Sequence, residues 1–186
     1  MHILFTSFVL VALSEMGDKT QLLAFSLAAK YRRPWMVLSG ILVATLLNHS
    51  IASTLGSWLF SQVNTRILSG VLAAVFIGFG FWTLKPDTIS PDQSSNYNPF
   101  LTTLFLFFIA EMGDKTQLAT VALGARYGAP VLVTIGTTLG MLVSDGLAVF
   151  LGEKLSNKIE MKWIRRLAAS LFFIFGFASA YSAVFD

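Results

Sequence analysis

Six long apolar stretches, at residues 3–29, 35–60, 67–84, 99–125, 130–152 and 163–185, alternate with short polar breaks along the chain. Each is close to or beyond the roughly 20 apolar residues that a helix needs to cross a bilayer. The pattern therefore predicts an all-α membrane protein of six transmembrane helices. The breaks carry the expected punctuation, with basic residues and proline at 30–34, Asn64 and Arg66, Gly128 and Pro130, and a polar run at 153–162. The longest break, 85–98, reads as a flexible linker between a first unit (1–84) and a second (99–186).

The two units are repeats. The octapeptide Glu15-Met16-Gly17-Asp18-Lys19-Thr20-Gln21-Leu22 recurs unchanged from Glu111 to Leu118, and the same offset of 96 carries Leu27 to Leu123, Tyr31 to Tyr127, Pro34 to Pro130, Gly40 to Gly136 and Gly56 to Gly152. A unit of three spans is odd, so the second must enter the membrane upside down relative to the first. That is the inverted-repeat plan of many secondary transporters, whose substrate sites lie at the repeat interface near the midplane.

Composition agrees: 55% hydrophobic and 12% charged residues, with mean hydropathy +0.70, exclude an ordinary soluble domain and leave no room for one beside the spans. Cysteine is absent, which excludes disulfides and thiolate ligands. The first apolar run lacks a basic n-region and a cleavage site, and is expected to be a retained span. The net charge of +3 is informative only by position. Nine of the 13 basic residues (Lys30, Arg32, Arg33, Lys85, Lys154, Lys158, Lys162, Arg165 and Arg166) gather on one side, against Arg66 and Arg126 on the other. Because Lys and Arg in short loops stay cytoplasmic, the linker is expected in the cytoplasm and both termini outside. No nucleic-acid partner is implied; the lipid bilayer is the evident one, and an oligomer is compatible with the sequence but not specified by it.

The repeated octapeptide places two acids per copy inside an apolar span, where ionisable groups are costly and characteristically line an ion or proton path. On a continuous helix Glu15 and Asp18 share a stripe, with Lys19 four residues after the glutamate, and Glu111, Asp114 and Lys115 repeat the arrangement. Gly17 and Gly113 mark points where the helix can kink or unwind. Thr20, Gln21, Thr116 and Gln117 add neutral oxygens. The donor set is hard, suited to Mg, Ca or Mn. Four acids and two lysines leave a formal −2, which one divalent cation or two protons would cancel. Internal pairs Glu15–Lys19 and Glu111–Lys115 are the bland alternative. Met16 and Met112 are either soft auxiliary ligands or gap-filling side chains.

Matched polar positions recur in the second and fifth spans, Asn48-His49 and Ser144-Asp145. Asp145 is a ligand, a proton relay or a hydrogen-bonded wall residue; His49 is read as packing more than ligation. Gly40 with Ala44, and Gly136 with Gly140, form small-xxx-small steps for close helix approach.

The motif E-x-G-D-[KR]-[TS], present twice at these positions, resembles the signature of the Gdt-type cation transporters, which include Golgi calcium/manganese:proton exchangers and bacterial manganese exporters. The resemblance covers essentially the whole chain. It implies a multi-pass protein of the bacterial inner membrane that exports Mn(II), with Ca(II) as second candidate, in exchange for protons. It also implies a shared cation site of Glu15, Asp18, Glu111 and Asp114, with the metal as substrate and no cofactor. A divalent-cation channel and an intramembrane acid/base enzyme are the alternative readings of the same acids.

Overall fold

The computed structural model describes residues 1–85, 98–155 and 161–185. Among them are eight helices and no strand: α1 (His2–Glu15), α2 (Lys19–Tyr31), α3 (Pro34–Gln62), α4 (Thr65–Thr83), α5 (Pro99–Glu111), α6 (Lys115–Tyr127), α7 (Pro130–Leu155) and α8 (Met161–Phe185). The expected linker lies outside the described residues over 86–97, as do Lys158 and the side chains of Lys154 and Arg165.

Among the described residues, four segments are long and apolar enough to cross a membrane: α3, α4, Pro130–Leu151 of α7 and Arg166–Phe185 of α8. The first and fourth expected helices are corrected. Each is broken at the repeated motif into two pieces, α1 with α2 and α5 with α6. A helix of 13 or 14 residues spans only about 20 Å, short of a hydrocarbon core of about 30 Å. The halves of each broken span do not fold back on each other; α1 packs mainly on α7, and α2 on α7, α3 and α5.

Packing is dominated by contacts between the two units: α1 with α7, its repeat image α5 with α3, α3 with α6, α2 with α7, and α4 with α8. The approach is close enough to exclude side chains. A Cβ on Gly40 would lie 2.8 Å from the Phe100 carbonyl oxygen, and one on Gly136 would lie 2.6 Å from that of Leu4. These are the same contact with the units exchanged, since 4 and 100, like 40 and 136, are repeat mates. Such reciprocity is what a two-fold relation between units produces. The small-xxx-small steps thus serve helix approach, as expected. On the other side α4 and α8 meet through a phenylalanine seam, with the Phe79 and Phe172 rings 5.7 Å apart and Phe76 packed on Phe172 and Phe175. This arrangement holds the two breaks against each other in the interior.

Candidate functional site

Each break is a tight turn dictated by its sequence. Met16 (φ −66°, ψ 117°) is followed by Gly17 at φ 81°, and the Asp18 N–H donates to the Glu15 carbonyl at 3.1 Å. Met112 (φ −65°, ψ 114°), Gly113 at φ 76° and the Asp114 N–H to Glu111 carbonyl bond of 3.1 Å repeat it. These are type II turns, whose third position needs positive φ and therefore glycine. Asp18 is then the N-cap of α2, its Oδ1 accepting from the Lys19 N–H at 2.7 Å. The expected single stripe carrying Glu15 and Asp18 is corrected accordingly. The glutamate ends one helix, the aspartate begins the next, and the glycine between them reverses the backbone. Nothing lies within 4 Å of a Cβ built on Gly113, so Gly113→Ala isolates the backbone term. It is expected to cost about 1–2 kcal/mol of thermal stability in detergent, with Gly113→Asn losing less because asparagine tolerates this region.

The lysines do not pair with the glutamate of their own motif. Lys19 Nζ lies 3.1 Å from Asp114 Oδ1, and Lys115 Nζ lies 2.6 Å from Asp18 Oδ2. Each pair ties one repeat to the other. The aspartates, which the sequence left without a partner, are the paired acids.

The glutamates differ from each other. Glu15 accepts from the Thr20 hydroxyl at 2.6 Å on Oε2 and from the Thr116 hydroxyl on Oε1, so threonines of both motifs converge on one carboxylate. Glu111 is equally buried, yet neither of its oxygens has a hydrogen-bond partner. Asp145, fully buried on α7, is likewise without hydrogen-bond partners on both oxygens, and lies within Coulombic reach of Glu15, Asp18 and Glu111. His49, its repeat mate, is buried with both ring nitrogens unmatched.

The other expected donors are occupied in bracing. Gln21 Oε1 accepts from the Gly17 N–H at 2.8 Å, and Gln117 Oε1 from the Gly113 N–H at 2.7 Å. Their amide nitrogens reach across the interface, Gln21 to the Ser144 carbonyl at 3.0 Å and Gln117 to Asn48 Oδ1 at 3.5 Å, while Asn48 Nδ2 donates to the Phe108 carbonyl at 3.1 Å. These hydrogen bonds hold the turns in place and tie them to the opposite repeat. Ser53 and Thr134, whose hydroxyls meet at 2.6 Å between α3 and α7, carry no distinguishing signal in the sequence, being two among many hydroxyls on those helices. Met112 is 61% exposed, which sets aside a gap-filling role for it.

Glu15, Asp18 and Asp114 each offer a carboxylate oxygen within 4.8 Å of the others, and all three are buried. Oxygens on opposite sides of one Ca(II), at about 2.3–2.6 Å each, stand about 4.6–5.2 Å apart, so the triad has the span of a single cation. Asp114 Oδ2, buried and without a hydrogen-bond partner, leaves lone pairs for such an ion.

The model of the divalent cation/proton antiporter family GDT1 matches residues 3–91 and 99–186, nearly the entire chain. The chain belongs to the GDT1 family of divalent cation/proton antiporters. A Vibrio cholerae protein named "Putative manganese exporter" is 41% identical over 183 residues, covering 97% of this chain and 92% of that protein. GDT1-like protein 5 of Arabidopsis thaliana is 28% identical over 96% of this chain and 95% of its own length, and a GDT1-like protein of Synechocystis is 29% identical over 95% of each. No solved structure matches. GDT1 membership and the apolar helices make this a multi-pass membrane protein of a transporter family, not of an enzyme family.

Proposed function

We propose that this GDT1 protein exports Mn(II), with Ca(II) as the second candidate, from the bacterial cytoplasm in exchange for protons, through the pocket where the two motifs meet. One observation carries the reading. Carboxylate oxygens from both copies, those of Glu15, Asp18 and Asp114, lie within one cation's span in the buried interior. Glu111 and Asp145, buried and unmatched, extend the acidic lining and serve as proton or transfer positions. The preference for manganese leans on the name of the Vibrio cholerae relative.

The reciprocal contacts support two inverted three-helix repeats, 1–84 and 99–186, joined by a cytoplasmic linker at 85–98. In this reading each broken pair crosses the membrane once, giving six crossings and external termini in the inner membrane. Broken helices suit the site, because the last carbonyls of α1 and α5 carry the negative end of the helix dipole toward a cation. With the aspartates balanced by lysines, the −2 left over within the two motifs resides on Glu15 and Glu111, and one M(II) replaces two protons there, Asp145 serving as a further proton position.

Everted vesicles that trap a pH probe test this. Adding Mn(II) should carry metal inward and alkalinise the lumen as protons leave, faster when the lumen starts acidic, with Ca(II) a poorer substrate and Mg(II) poorer still. Metal uptake without proton movement refutes the exchange, and conduction that never concentrates metal indicates a channel.

A further inference from the structure

The two aspartates that complete the carboxylate triad are the same two that hold the crossed lysines. Lys115 Nζ sits 2.6 Å from Asp18 Oδ2 and Lys19 Nζ sits 3.1 Å from Asp114 Oδ1, while Glu15, Asp18 and Asp114 supply oxygens within 4.8 Å of one another. An ammonium resting on these aspartates and a divalent ion bound by the same carboxylates repel each other at short range. A metal bonds to oxygen at about 2.0–2.6 Å and draws its ligands inward, whereas an ammonium stands off at hydrogen-bond distance and would then face the metal at a few ångströms across a buried, low-dielectric gap.

We propose that Lys19 and Lys115 are tethered competitors of the transported cation: their ammonium groups hold the two aspartates from opposite repeats and must withdraw from them when a divalent ion binds. This rests on the pocket being the cation site. Three features favour competition over a purely structural pairing. First, the pairs are crossed between repeats, so each lysine is a strap between the parts that alternating access must move; metal entry exchanges two ammonium straps for one ionic centre. Second, the pairs are unequal. The Lys19 side chain is 33% exposed and that of Lys115 only 5%, so Lys19 has an open direction in which to retreat, and it marks the side from which the pocket first yields. Third, Asp114 keeps one buried oxygen, Oδ2, without a hydrogen-bond partner, giving an incoming ion a foothold before Lys19 has left.

The consequence runs against the usual effect of removing a charged residue from a binding site. Without a competing ammonium the carboxylates are more negative, so metal binds more tightly and leaves more slowly. The test is equilibrium Mn(II) binding to the purified full-length chain, read by loss of the free Mn(II) electron paramagnetic resonance signal, alongside transport kinetics in reconstituted vesicles. Lys19→Gln and Lys115→Gln are each expected to lower the Kd for Mn(II) about tenfold or more, and to reduce kcat and KM together as release becomes limiting. Lys19→Arg, which keeps the charge, should not show the tighter Mn(II) binding of Lys19→Gln. If Lys115→Gln fails to fold, Lys19→Gln decides alone, since its side chain is the more exposed. Unchanged or weaker binding in a folded glutamine variant, beside normal binding by wild type, overturns the competition. Absence of Mn(II) binding by wild type itself overturns the cation-site reading and this inference with it, a result distinguishable from the first.

Discussion

Asp18→Asn and Asp114→Asn should each abolish metal-driven proton movement, with Mn(II) affinity reduced at least about 100-fold. Loss of second-shell partners alone commonly costs 10–100-fold in metal sites, and here a charged oxygen of the triad itself is removed. The substitution is selective for charge. Asn is as good an N-cap as Asp, so the bond from the Lys19 N–H to position 18 survives and α2 still starts where it does. The two variants also ask whether one pocket or two exist. If the motifs act jointly, either change suffices and the double variant is no worse than the singles. Retention of more than about a tenth of wild-type exchange by either single variant, with folding intact, would mean that the copies do not share an ion.

The second large effect is structural. Gly56→Ala would place a methyl 2.0 Å from the Val121 carbonyl oxygen and 2.8 Å from the Ala125 nitrogen, where α3 crosses α6. Backbone cannot rotate away as a side chain can, so the helices must part by about 1 Å and forfeit close packing along the crossing, at a cost of about 3 kcal/mol or more. Gly124→Ala, on the facing surface at 2.4 Å from the Ser53 carbonyl oxygen, should behave alike. Gly70 on α4 supplies the control. It has nothing within 4 Å, and Ala there should be neutral or stabilise by up to about 1 kcal/mol. Thermal unfolding in detergent separates them, and equal midpoints for Gly56→Ala and Gly70→Ala would remove the crossing from the account of stability. Because α6 carries Lys115 and Thr116 at its first turn, the destabilised variants should lose metal binding in step with unfolding.

Much of this was legible along the chain. The apolar runs located α3, α4, α7 and α8 to within a few residues, and the 96-residue offset identified Gly40 and Gly136 as matched positions for close helix approach. The acids at 15, 18, 111 and 114 were recognisable because nothing else in those segments is charged apart from the neighbouring lysines. The two breaks were harder. The apolar runs on either side, 3–14 and 22–29, are long enough that a window average over the whole stretch sees one helix despite the polar motif between them. Finer signals were present: Asp18 followed by Gln21, and Asp114 by Gln117, read as an N-cap with a residue reaching back, and Met-Gly before them fits the middle of a type II turn. The glutamines do reach back, to the N–H of Gly17 and Gly113, so one lone pair of each amide oxygen braces its own turn.

Sequence by itself determined the apolar spans, the duplication, the turn chemistry of the motif and the excess of acid over base, because these follow from residue type and spacing along one strand of chain. Tertiary structure alone decided who pairs with whom. Lys19 with Asp114, Lys115 with Asp18, and both threonines with Glu15 are contacts between residues that two copies of one motif make equally eligible. Identical local sequence cannot choose between a partner four residues away and its twin in the other repeat. The packing of α1 on α7 and of α3 on α5 and α6 makes that choice, by fixing which buried charges come within a few ångströms of each other.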